Sequence, residues 1–319
     1  MENIKLIDGK FIENNTDFVN LIAALKHGFL SKDIIVPLRH HHDFPNPKTN
    51  SDSTMLLMPS WNPNKNAGVK IVTVSPKNGQ YNLPSINGAY IYLDATTGVL
   101  KAILNAKSLT VKRTAAASAL ASSFLSNKDA SSLLMIGTGA LSTNLIKAHA
   151  SVRPISDVYV WGRSLKKAQA VCDQLNNEKF KSTPIETIEE KISEVSIISC
   201  ATLSKTPLVF GKYLRPGQHI DLVGAYKKDM READNETISK ASIFVDTFQG
   251  GLKESGDIVI PIKEGVINTS DIKADLFHLC SQAHYGREHS NDITVFKSVG
   301  HALEDLIAAN YYYNTYTNA

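Results

Sequence analysis

The sequence predicts an α/β protein in which a doubly wound parallel sheet forms one domain and a mixed sheet forms another. From about residue 130 to residue 246, short apolar strands alternate with helical segments, the pattern of a parallel sheet covered on both faces. Before residue 130, two strands flank a glycine-bearing turn, which is typical of an antiparallel or mixed sheet. At 319 residues, the chain is long enough for two domains.

The first region supplies several strands and one long helix. The strands are predicted at residues 55–58, 69–74, 91–94 and 99–103. Thr110 is expected to cap an alanine-rich helix over residues 111–124 that leads into the next domain. The polar, aromatic tail 311–319 is expected to fray or to pack on a partner.

The second region has the alternation of a βαβ fold. Strands are predicted at residues 132–136, 157–161, 195–200, 219–223 and 243–245, and helices at 141–152 and 165–175. Because the strands are almost continuously apolar, we expect them to be buried in a parallel sheet.

The composition excludes several classes of protein. The chain is 43% hydrophobic and 20% charged, and its net charge of +3 is too small to indicate a nucleic-acid or membrane-surface partner. No apolar stretch approaches the roughly 18 residues that span a bilayer, and the first ten residues lack a signal-peptide core. The three cysteines are far apart and suit reduced packing residues. We therefore expect a cytoplasmic protein.

The segment 132–142, SLLMIGTGALS, joins a predicted strand to a helix through a glycine turn. Gly137 allows the turn, Gly139 lets the backbone approach a phosphate, and the helix start at Ala140 and Leu141 attracts its negative charge. Ser142 stands where a small residue packs the helix on the strand. This pattern, in this context, predicts a dinucleotide-binding site.

The end of the second strand of this fold indicates which dinucleotide binds. Proteins selective for NAD carry Asp or Glu there, roughly 20 residues past the glycines, to bind the adenosine ribose. This chain instead has Gly162, Arg163 and Ser164, followed by Lys167. Arg suits a 2′-phosphate. We expect NADPH as the cofactor, with NADH as the alternative, although these charges are also what a solvated helix start carries.

Four motifs resemble the ornithine cyclodeaminase/μ-crystallin family: DATTG at 94–98, LTVKRTAAAS at 109–118, IGTG at 136–139 and FKSVGHALED at 296–305. The resemblance runs from about residue 36 to residue 306. It implies a Rossmann domain, residues 113–299, inserted into an α+β domain for substrate binding and dimerisation, residues 1–112 plus about 300–319. It also implies a homodimer.

The resemblance further implies substrates that are amino acids or cyclic imino acids, with hydride moving to or from a nicotinamide. The family's basic positions match Arg39, Lys70 and Arg113, which would hold the substrate carboxylate. Lys70 and Arg113 are the expected catalytic residues, with Lys70 or a water that it orders supplying a proton. Arg113 is expected in the first turn of its helix. Met58 and Trp61 resemble a wall of the substrate pocket.

Later strand ends complete the expected cofactor site. Ala201, Thr202 and Val223 are expected to contact the dinucleotide, and Ser298 is a candidate partner of the nicotinamide amide.

One position departs from the cyclodeaminases, which carry Asp just after the Val-Gly-Gly of a strand end. Here Tyr226 takes that place and is expected to contact the substrate. A phenol, with a pKa of about 10, is a poor base at neutral pH and does not pair ionically with an ammonium group. The segment around Tyr226 resembles instead that of the family members that reduce Δ1-pyrroline-2-carboxylate to L-proline. These members often also reduce Δ1-piperideine-2-carboxylate to L-pipecolate, and they act in proline metabolism or hydroxyproline degradation.

Two other functions stay open. One is a different amino-acid dehydrogenase of the family, alanine dehydrogenase-like or opine-like, and the other is a non-catalytic NADPH-binding protein like the μ-crystallins. A metal site is not expected. The run from His40 to Asp43 invites one, but consecutive residues cannot all face a single ion. We interpret this run as a loop, or as a histidine at the substrate mouth beside Arg39.

Overall fold

The structure is a computed structural model that describes residues 4–318. The chain divides into two compact units. The first joins Met1–Arg113 to Ala302–Ala319, and the second is Thr114–His301. The second unit is therefore inserted into the sequence of the first.

Strands and helices are numbered in chain order over the described residues. The strands are β1 Lys5–Ile7, β2 His40–Phe44, β3 Ser53–Asn62, β4 Asn66–Val74, β5 Ile86–Asp94, β6 Leu100–Asn105, β7 Ser132–Ile136, β8 Asp157–Trp161, β9 Lys181–Ile185, β10 Ile197–Cys200, β11 His219–Leu222, β12 Ser242–Val245, β13 Ile272–Asp275 and β14 Thr294–Lys297. The α-helices are α1 Gly9–Asn14, α2 Phe18–Leu30, α3 Ala106–Leu125, α4 Ser142–Val152, α5 Leu165–Asp173, α6 Asn235–Lys240, α7 Phe248–Glu254, α8 Gly256–Lys263, α9 Leu276–Cys280 and α10 Ala302–Thr317.

The first unit contains a six-stranded sheet in the order β1-β6-β5-β4-β3-β2. β1 pairs with β6 in parallel and the remaining neighbours are antiparallel, which confirms the predicted mixed sheet. The predicted hairpin is β5 and β6. Its turn is stabilised by the Asp94 carboxylate, which accepts hydrogen bonds from the backbone N–H groups of Thr96 and Thr97, and Gly98 supplies the positive φ of 69° that the turn requires.

One face of this sheet is covered by α10, which packs on β3, β4 and β5 and against α2. Ser60 Oγ donates a hydrogen bond of 2.9 Å to the Ala302 carbonyl, which joins the start of α10 to β3. The expectation that the tail frays is wrong as far as Thr317, where α10 ends. Tyr312 is fully buried and its hydroxyl lies 2.8 Å from Thr16 Oγ1, so the tail packs on its own chain. Ala319 lies outside the described residues.

Two further expectations for this unit are corrected. The helix predicted to start after Thr110 begins at Ala106, because Asn105 Oδ1 accepts a hydrogen bond of 2.9 Å from the Ser108 N–H and so caps it earlier. Arg113 therefore lies about two turns into α3 rather than in its first turn. The His40–Phe44 run is an exposed edge strand and not a loop, because its backbone pairs in register with β3.

The second unit is built on an eight-stranded sheet in the order β13-β12-β14-β11-β10-β7-β8-β9, with neighbouring strands parallel throughout. The run β9-β8-β7-β10-β11 has the strand order 3-2-1-4-5 of a Rossmann-type sheet, and β14, which follows β12 and β13 in the chain, takes the next place. The doubly wound parallel sheet is confirmed. Its strand order reverses between β7 and β10, so the carboxyl ends of these strands border a crevice.

Burial explains why the strand positions were visible in the sequence. All residues of β10 and β11 are buried, and so is β7 from Leu133 to Ile136. A strand covered on both faces needs apolar side chains at consecutive positions. Leu134, Ile198 and Ile220 meet in one core cluster of this unit.

The helices of the second unit are short, and several begin at a polar cap. Asp234 accepts from the Thr237 N–H, and Asp275 accepts from the His278 N–H. Across residues 4–318, no helix combines the length and the apolar character needed to cross a membrane.

Candidate functional site

A pocket of about 370 Å³ lies at the carboxyl ends of β7, β8 and β10 in the second unit. This is where the strand order reverses, the place where open parallel sheets bind ligands. The lining consists of Gly137, Thr138, Gly139, Trp161, Gly162, Arg163, Lys167, Ala201, Thr202, Leu203, Ser204 and Leu208. Seven of the residues predicted to bind the cofactor are therefore brought together: Gly137, Gly139, Gly162, Arg163, Lys167, Ala201 and Thr202.

The glycine turn between β7 and α4 has no room for a side chain at its first position. Gly137 has a φ of +125°, and a Cβ there would lie 2.6 Å from the Ala201 carbonyl oxygen. Gly139 has open space at its Cβ position, so its backbone is accessible from the pocket. Gly137 is thus required by the fold, and Gly139 leaves the approach to the backbone open.

Backbone N–H groups at the start of α4 face no capping side chain. Leu141 at the N-cap position makes no side-chain hydrogen bond to the helix. The fully buried Ser142 donates its hydroxyl to the Gly137 carbonyl at 2.8 Å and so fixes the turn against the helix. A phosphate at this position would gain both the N–H donors and the positive end of the helix dipole.

Arg163 and Lys167 give the outer part of the pocket its positive charge. Both side chains are exposed, and none of the described lining residues is acidic. Ser164 is the N-cap of α5 but makes no side-chain hydrogen bond to that helix. This edge of the pocket is chemically suited to a second anionic group.

The remaining residues predicted to bind the cofactor do not line the pocket. Ala140 and Leu141 follow Gly139 at the helix start, whereas Val223 is buried beyond the end of β11. Ser298 is also buried, and its hydroxyl donates to Asp246 at 3.2 Å. Asp246 further accepts from the backbone N–H groups of Val299 and Gly300, so it anchors the segment that follows β14.

A buried carboxylate that the sequence reasoning missed holds the back of the pocket. Glu232 Oε1 accepts from the Thr202 N–H at 2.6 Å and from Thr202 Oγ1 at 2.8 Å. Glu232 Oε2 accepts from the N–H groups of Gly224 and Ala225 at 2.8 and 3.1 Å. One side chain therefore ties together the segments that follow β10 and β11.

Lys297 and Asp257 complete this network, which is fully buried. The Lys297 ammonium lies 3.1 Å from Asp257 Oδ2 and 4.0 Å from Glu232 Oε2, and Asp257 Oδ1 accepts from the Glu232 N–H at 2.7 Å. Burial raises the pKa of Glu232, while the Lys297 charge and the Thr202 hydrogen bonds act in the opposite direction. The signal in the sequence was a lysine directly after Val295 and Phe296, at the end of a strand that is buried throughout.

Tyr226 follows β11 in the same unit and is 37% exposed. The Lys227 ammonium lies 5.7 Å from the centre of its ring. Asp229, three residues on, is an exposed side chain paired with Lys205 at 2.7 Å. The position that carries Asp in cyclodeaminases thus presents a phenol.

The first unit contains a buried cluster of charges around α10. Asp305 accepts from Lys70 Nζ at 2.9 Å and from Arg113 Nε at 3.0 Å, both through Oδ1. Arg113 also donates to Glu304 Oε2 at 2.6 Å. These four side chains are at least nine-tenths buried, so two of the predicted catalytic residues are brought together with two carboxylates.

β-Sheet register places the other predicted substrate residues relative to this cluster. Met58, Lys70 and Tyr90 are cross-strand neighbours on β3, β4 and β5, and all three are buried. Trp61 is three residues from Met58 on β3 and so points to the opposite face. The expectation that Met58 and Trp61 form one wall is therefore wrong. Arg39 is partly exposed, immediately before β2.

The electrostatic environment makes Lys70 a candidate for proton transfer. Burial lowers its pKa to about 8, although the nearby Asp305 carboxylate raises it, and Arg113 and Arg39 lower it further. Burial acts to raise the pKa of Asp305, but Lys70 and Arg113 outweigh it and hold that pKa below its usual value. A lysine of this kind gains and loses a proton near neutral pH.

Glu304 and Asp305 end the FKSVGHALED motif, but the sequence alone does not identify them as site residues. An acidic pair in the first turn of a helix is also what favourable charge–dipole interaction produces, so the local pattern does not distinguish the two roles. The histidines of β2 are exposed, and the described residues contain no group of three His, Cys, Asp or Glu side chains arranged to hold a metal ion.

The fold and the pocket together define a Rossmann-type dinucleotide-binding protein with a second, charge-bearing unit. Residues 12–319 match the model of the ornithine cyclodeaminase/mu-crystallin family, and the chain belongs to this family.

Named relatives cover nearly the whole chain. The chain is 42% identical over 318 residues to an uncharacterized protein of Schizosaccharomyces pombe, covering 97% of this chain and 96% of that one. It is 35% identical over 312 residues to the Delta(1)-pyrroline-2-carboxylate reductase of Colwellia psychrerythraea, covering 96% and 98%. The structure of the Delta(1)-pyrroline-2-carboxylate reductase of Thermococcus litoralis, in complex with NADH and L-proline, matches with a TM-score of 0.91 and 32% identity over 99% of this chain and 98% of that one.

Proposed function

We propose that this protein reduces Δ1-pyrroline-2-carboxylate to L-proline, and Δ1-piperideine-2-carboxylate to L-pipecolate, with NADPH. It is an NAD(P)H-dependent oxidoreductase that acts on carbon–nitrogen double bonds. The observation that carries the proposal is the set of basic side chains that the first unit brings together. Lys70 and Arg113 are buried and both contact Asp305, and Arg39 is close enough to Lys70 to lower its pKa. Basic groups assembled in this way suit the carboxylate of a cyclic imino acid.

The three cations have different parts in substrate binding. Arg113 offers a planar guanidinium that Glu304 and Asp305 hold in one orientation, which suits a carboxylate. Arg39 is partly exposed and suits the outer side of the substrate. Lys70, with a pKa of about 8, suits proton transfer to the imine nitrogen. Met58, beside Lys70 in the sheet, offers apolar contact to the ring.

NADPH fits the pocket of the second unit. Gly137 and Gly139 with the start of α4 would hold the pyrophosphate, and Arg163, Ser164 and Lys167 would hold the 2′-phosphate. The bound cofactor supplies the hydride. The preference for NADPH rests on Arg163 and Lys167 and on the absence of a carboxylate among the described lining residues. The Thermococcus litoralis enzyme was solved with NADH, and a kinetic test therefore compares the two cofactors.

Tyr226 argues against a cyclodeaminase reaction, which needs a carboxylate to hold the second amino group of the substrate. We also place the protein in the cytoplasm, where a reduced NADPH pool favours imine reduction. A role in proline metabolism or hydroxyproline degradation follows from the same reaction.

The test follows absorbance at 340 nm with Δ1-pyrroline-2-carboxylate and either NADPH or NADH. We expect oxidation of both, faster with NADPH, and formation of L-proline. No oxidation of either cofactor would reject the reductase, and oxidation of NADH alone would reject only the NADPH preference. Activity with a 2-oxo acid and ammonia would select an amino-acid dehydrogenase instead. Tight NADPH binding without turnover would select a binding protein. Release of ammonia from ornithine would refute the argument from Tyr226.

We further propose that the protein is a homodimer formed through the sheet of the first unit. The face opposite the buried cluster carries a row of partly exposed apolar side chains across four strands: Pro59, Val69, Ile91 and Ile103. Such a face is typical of a protein interface. Light scattering on the wild type and on Val69→Glu should show a dimer and a monomer, respectively. A wild-type monomer would refute the proposal.

A further inference from the structure

Asp305 is the one carboxylate in the cluster that contacts both predicted catalytic residues. Its Oδ1 lies 2.9 Å from Lys70 Nζ and 3.0 Å from Arg113 Nε, and its Oδ2 lies 2.7 Å from Lys70 Nζ. Glu304, the preceding residue, is equally buried but contacts Arg113 at 2.6 Å through another nitrogen of the guanidinium. The two neighbouring carboxylates therefore have separable roles.

The backbone of Asp305 is fixed by packing. It lies in the first turn of α10, whose start is bonded to Ser60 of β3. Leu303 and Leu306 on either side are buried, and Tyr312 further along the helix is fully buried. A carboxylate on such a helix holds its two cations at a fixed separation rather than following their movement.

Charged and titratable groups approach Lys70 from four elements. Asp305 comes from α10, Arg113 from α3 and Arg39 from the segment before β2, and Tyr90 lies beside Lys70 on β5. The buried phenol of Tyr90 stays protonated, because burial raises its pKa. Asp305 is thus the negative charge in contact with Lys70, set against two cations and a desolvating environment.

Resting on the proposed reductase function, we infer that Asp305 is a positioning residue that holds Lys70 protonated beside the imine nitrogen and Arg113 oriented toward the substrate carboxylate. The ammonium of Lys70 gives its proton to the imine nitrogen, and the ring carbon accepts the hydride that the cofactor supplies. The carbon–nitrogen π bond becomes the lone pair of the amine. Solvent then returns a proton to Lys70. The sum is imine plus NADPH plus a proton giving L-proline plus NADP⁺.

The inference predicts how the activity depends on pH. The reduction needs Lys70 protonated, so kcat/KM of the wild type should fall above a pH of about 8. In Asp305→Asn the contact with a negative charge is lost while Arg113, Arg39 and burial remain, so the pKa of Lys70 falls. The decline should begin about 1–3 pH units lower than in the wild type.

Glu304→Gln is the matched control, since it removes a neighbouring buried charge that contacts Arg113 and not Lys70. Its KM for the imine should rise about tenfold, because Arg113 is no longer held in one orientation. The pH at which kcat/KM begins to fall should stay at the wild-type value. Ionisation of the substrate itself is the same for every variant. The inference would be overturned if kcat/KM of Asp305→Asn began to fall at the wild-type pH. It would also be overturned if Glu304→Gln lowered that pH as much as Asp305→Asn does.

Folding and the proposed reaction are checked separately. NADPH binding, whose pocket lies in the second unit, and circular dichroism report whether Asp305→Asn is folded. If it is not, Asp305→Glu serves instead. Asp305→Glu keeps the negative charge, so its kcat/KM should begin to fall at the same pH as that of the wild type, with a lower kcat. A fall that begins at a lower pH in this variant would contradict the inference. A wild type inactive on Δ1-pyrroline-2-carboxylate at every pH would mean that the proposed function fails, which is a distinct result.

Discussion

Replacing Glu232 with glutamine removes the charge that ties Thr202 to the segment after β11. In the wild type, four donors reach the two carboxylate oxygens: Thr202 N, Thr202 Oγ1, Gly224 N and Ala225 N. A glutamine amide offers one acceptor oxygen. Its NH₂ group must then face either Thr202, whose hydroxyl can accept from it while the Thr202 N–H loses its acceptor, or the N–H groups of Gly224 and Ala225, which both lose theirs.

The expected loss follows from these contacts. One or two donors are therefore left unsatisfied, at a cost of about 1–3 kcal/mol each. The substitution also removes the attraction between Glu232 and Lys297, and it relieves both the repulsion from Asp257 and the cost of burying the Glu232 charge. Lys297 keeps Asp257 as its partner at 3.1 Å. We expect the free energy of unfolding to fall by about 3 kcal/mol, within the range for a broken buried charge network.

Urea-induced unfolding measures this loss, and fluorescence titration measures the Kd for NADPH. Because Thr202 lines the pocket, we expect the Kd to rise about tenfold, which corresponds to roughly 1.4 kcal/mol. The control is Glu236→Gln on α6, an exposed carboxylate paired with Lys240 one turn away. That change should cost less than about 0.5 kcal/mol. A loss below about 1 kcal/mol with an unchanged Kd for Glu232→Gln would refute the role assigned to the network.

Three further predictions concern the cofactor and the proton. Arg163→Ala should lower kcat/KM for NADPH about tenfold and leave kcat/KM for NADH nearly unchanged. Equal losses with both cofactors would contradict a role of Arg163 in binding the 2′-phosphate. Gly137→Ala should weaken NADPH binding and cost about 1–3 kcal/mol in urea unfolding, because a Cβ at a φ of +125° would lie 2.6 Å from the Ala201 carbonyl, and wild-type values would contradict this. Oxidation of L-proline should rise through a pH of about 8, because Lys70 must then accept a proton, and Lys70→Met should lack this rise.

The strands of the second unit were predictable because each is buried on both faces and therefore reads as a short apolar run. Residues 132–136 and 157–161 were predicted with the bounds that the structure shows. The start of α3 was missed because Thr110 and Asn105 are both good caps, and the selection between them depends on where β6 ends. The edge strand β2 was missed because its side chains are exposed and it has no apolar alternation.

The two parts of the candidate site differed in how much the sequence revealed. Gly137, Gly139 and Arg163 are close in sequence to the turns that they serve, so a local pattern was sufficient. Asp305 contacts Lys70, which lies 235 residues away in the sequence. Lys297 at the end of β14 contacts Asp257 in α8, and these two elements are brought together only by the folded chain. Such pairings depend on the tertiary fold, and no spacing rule contains them.

Met58 and Trp61 show a different limit. Side chains three residues apart in a strand lie on opposite faces, so the prediction of one shared wall failed when β3 proved to extend to Asn62.

The helix α10 has a consequence for the order in which the protein is made. On the ribosome, the strands of the first unit and the cations Lys70 and Arg113 are synthesised before the whole of residues 114–301, and the carboxylates that neutralise them follow only afterwards. Until then the nascent first unit has two positive charges that cannot be buried without their partners, and an uncovered sheet face. The inserted unit, which is continuous in sequence, can complete its core earlier. Completion of the first unit is thus delayed until the second unit has been synthesised.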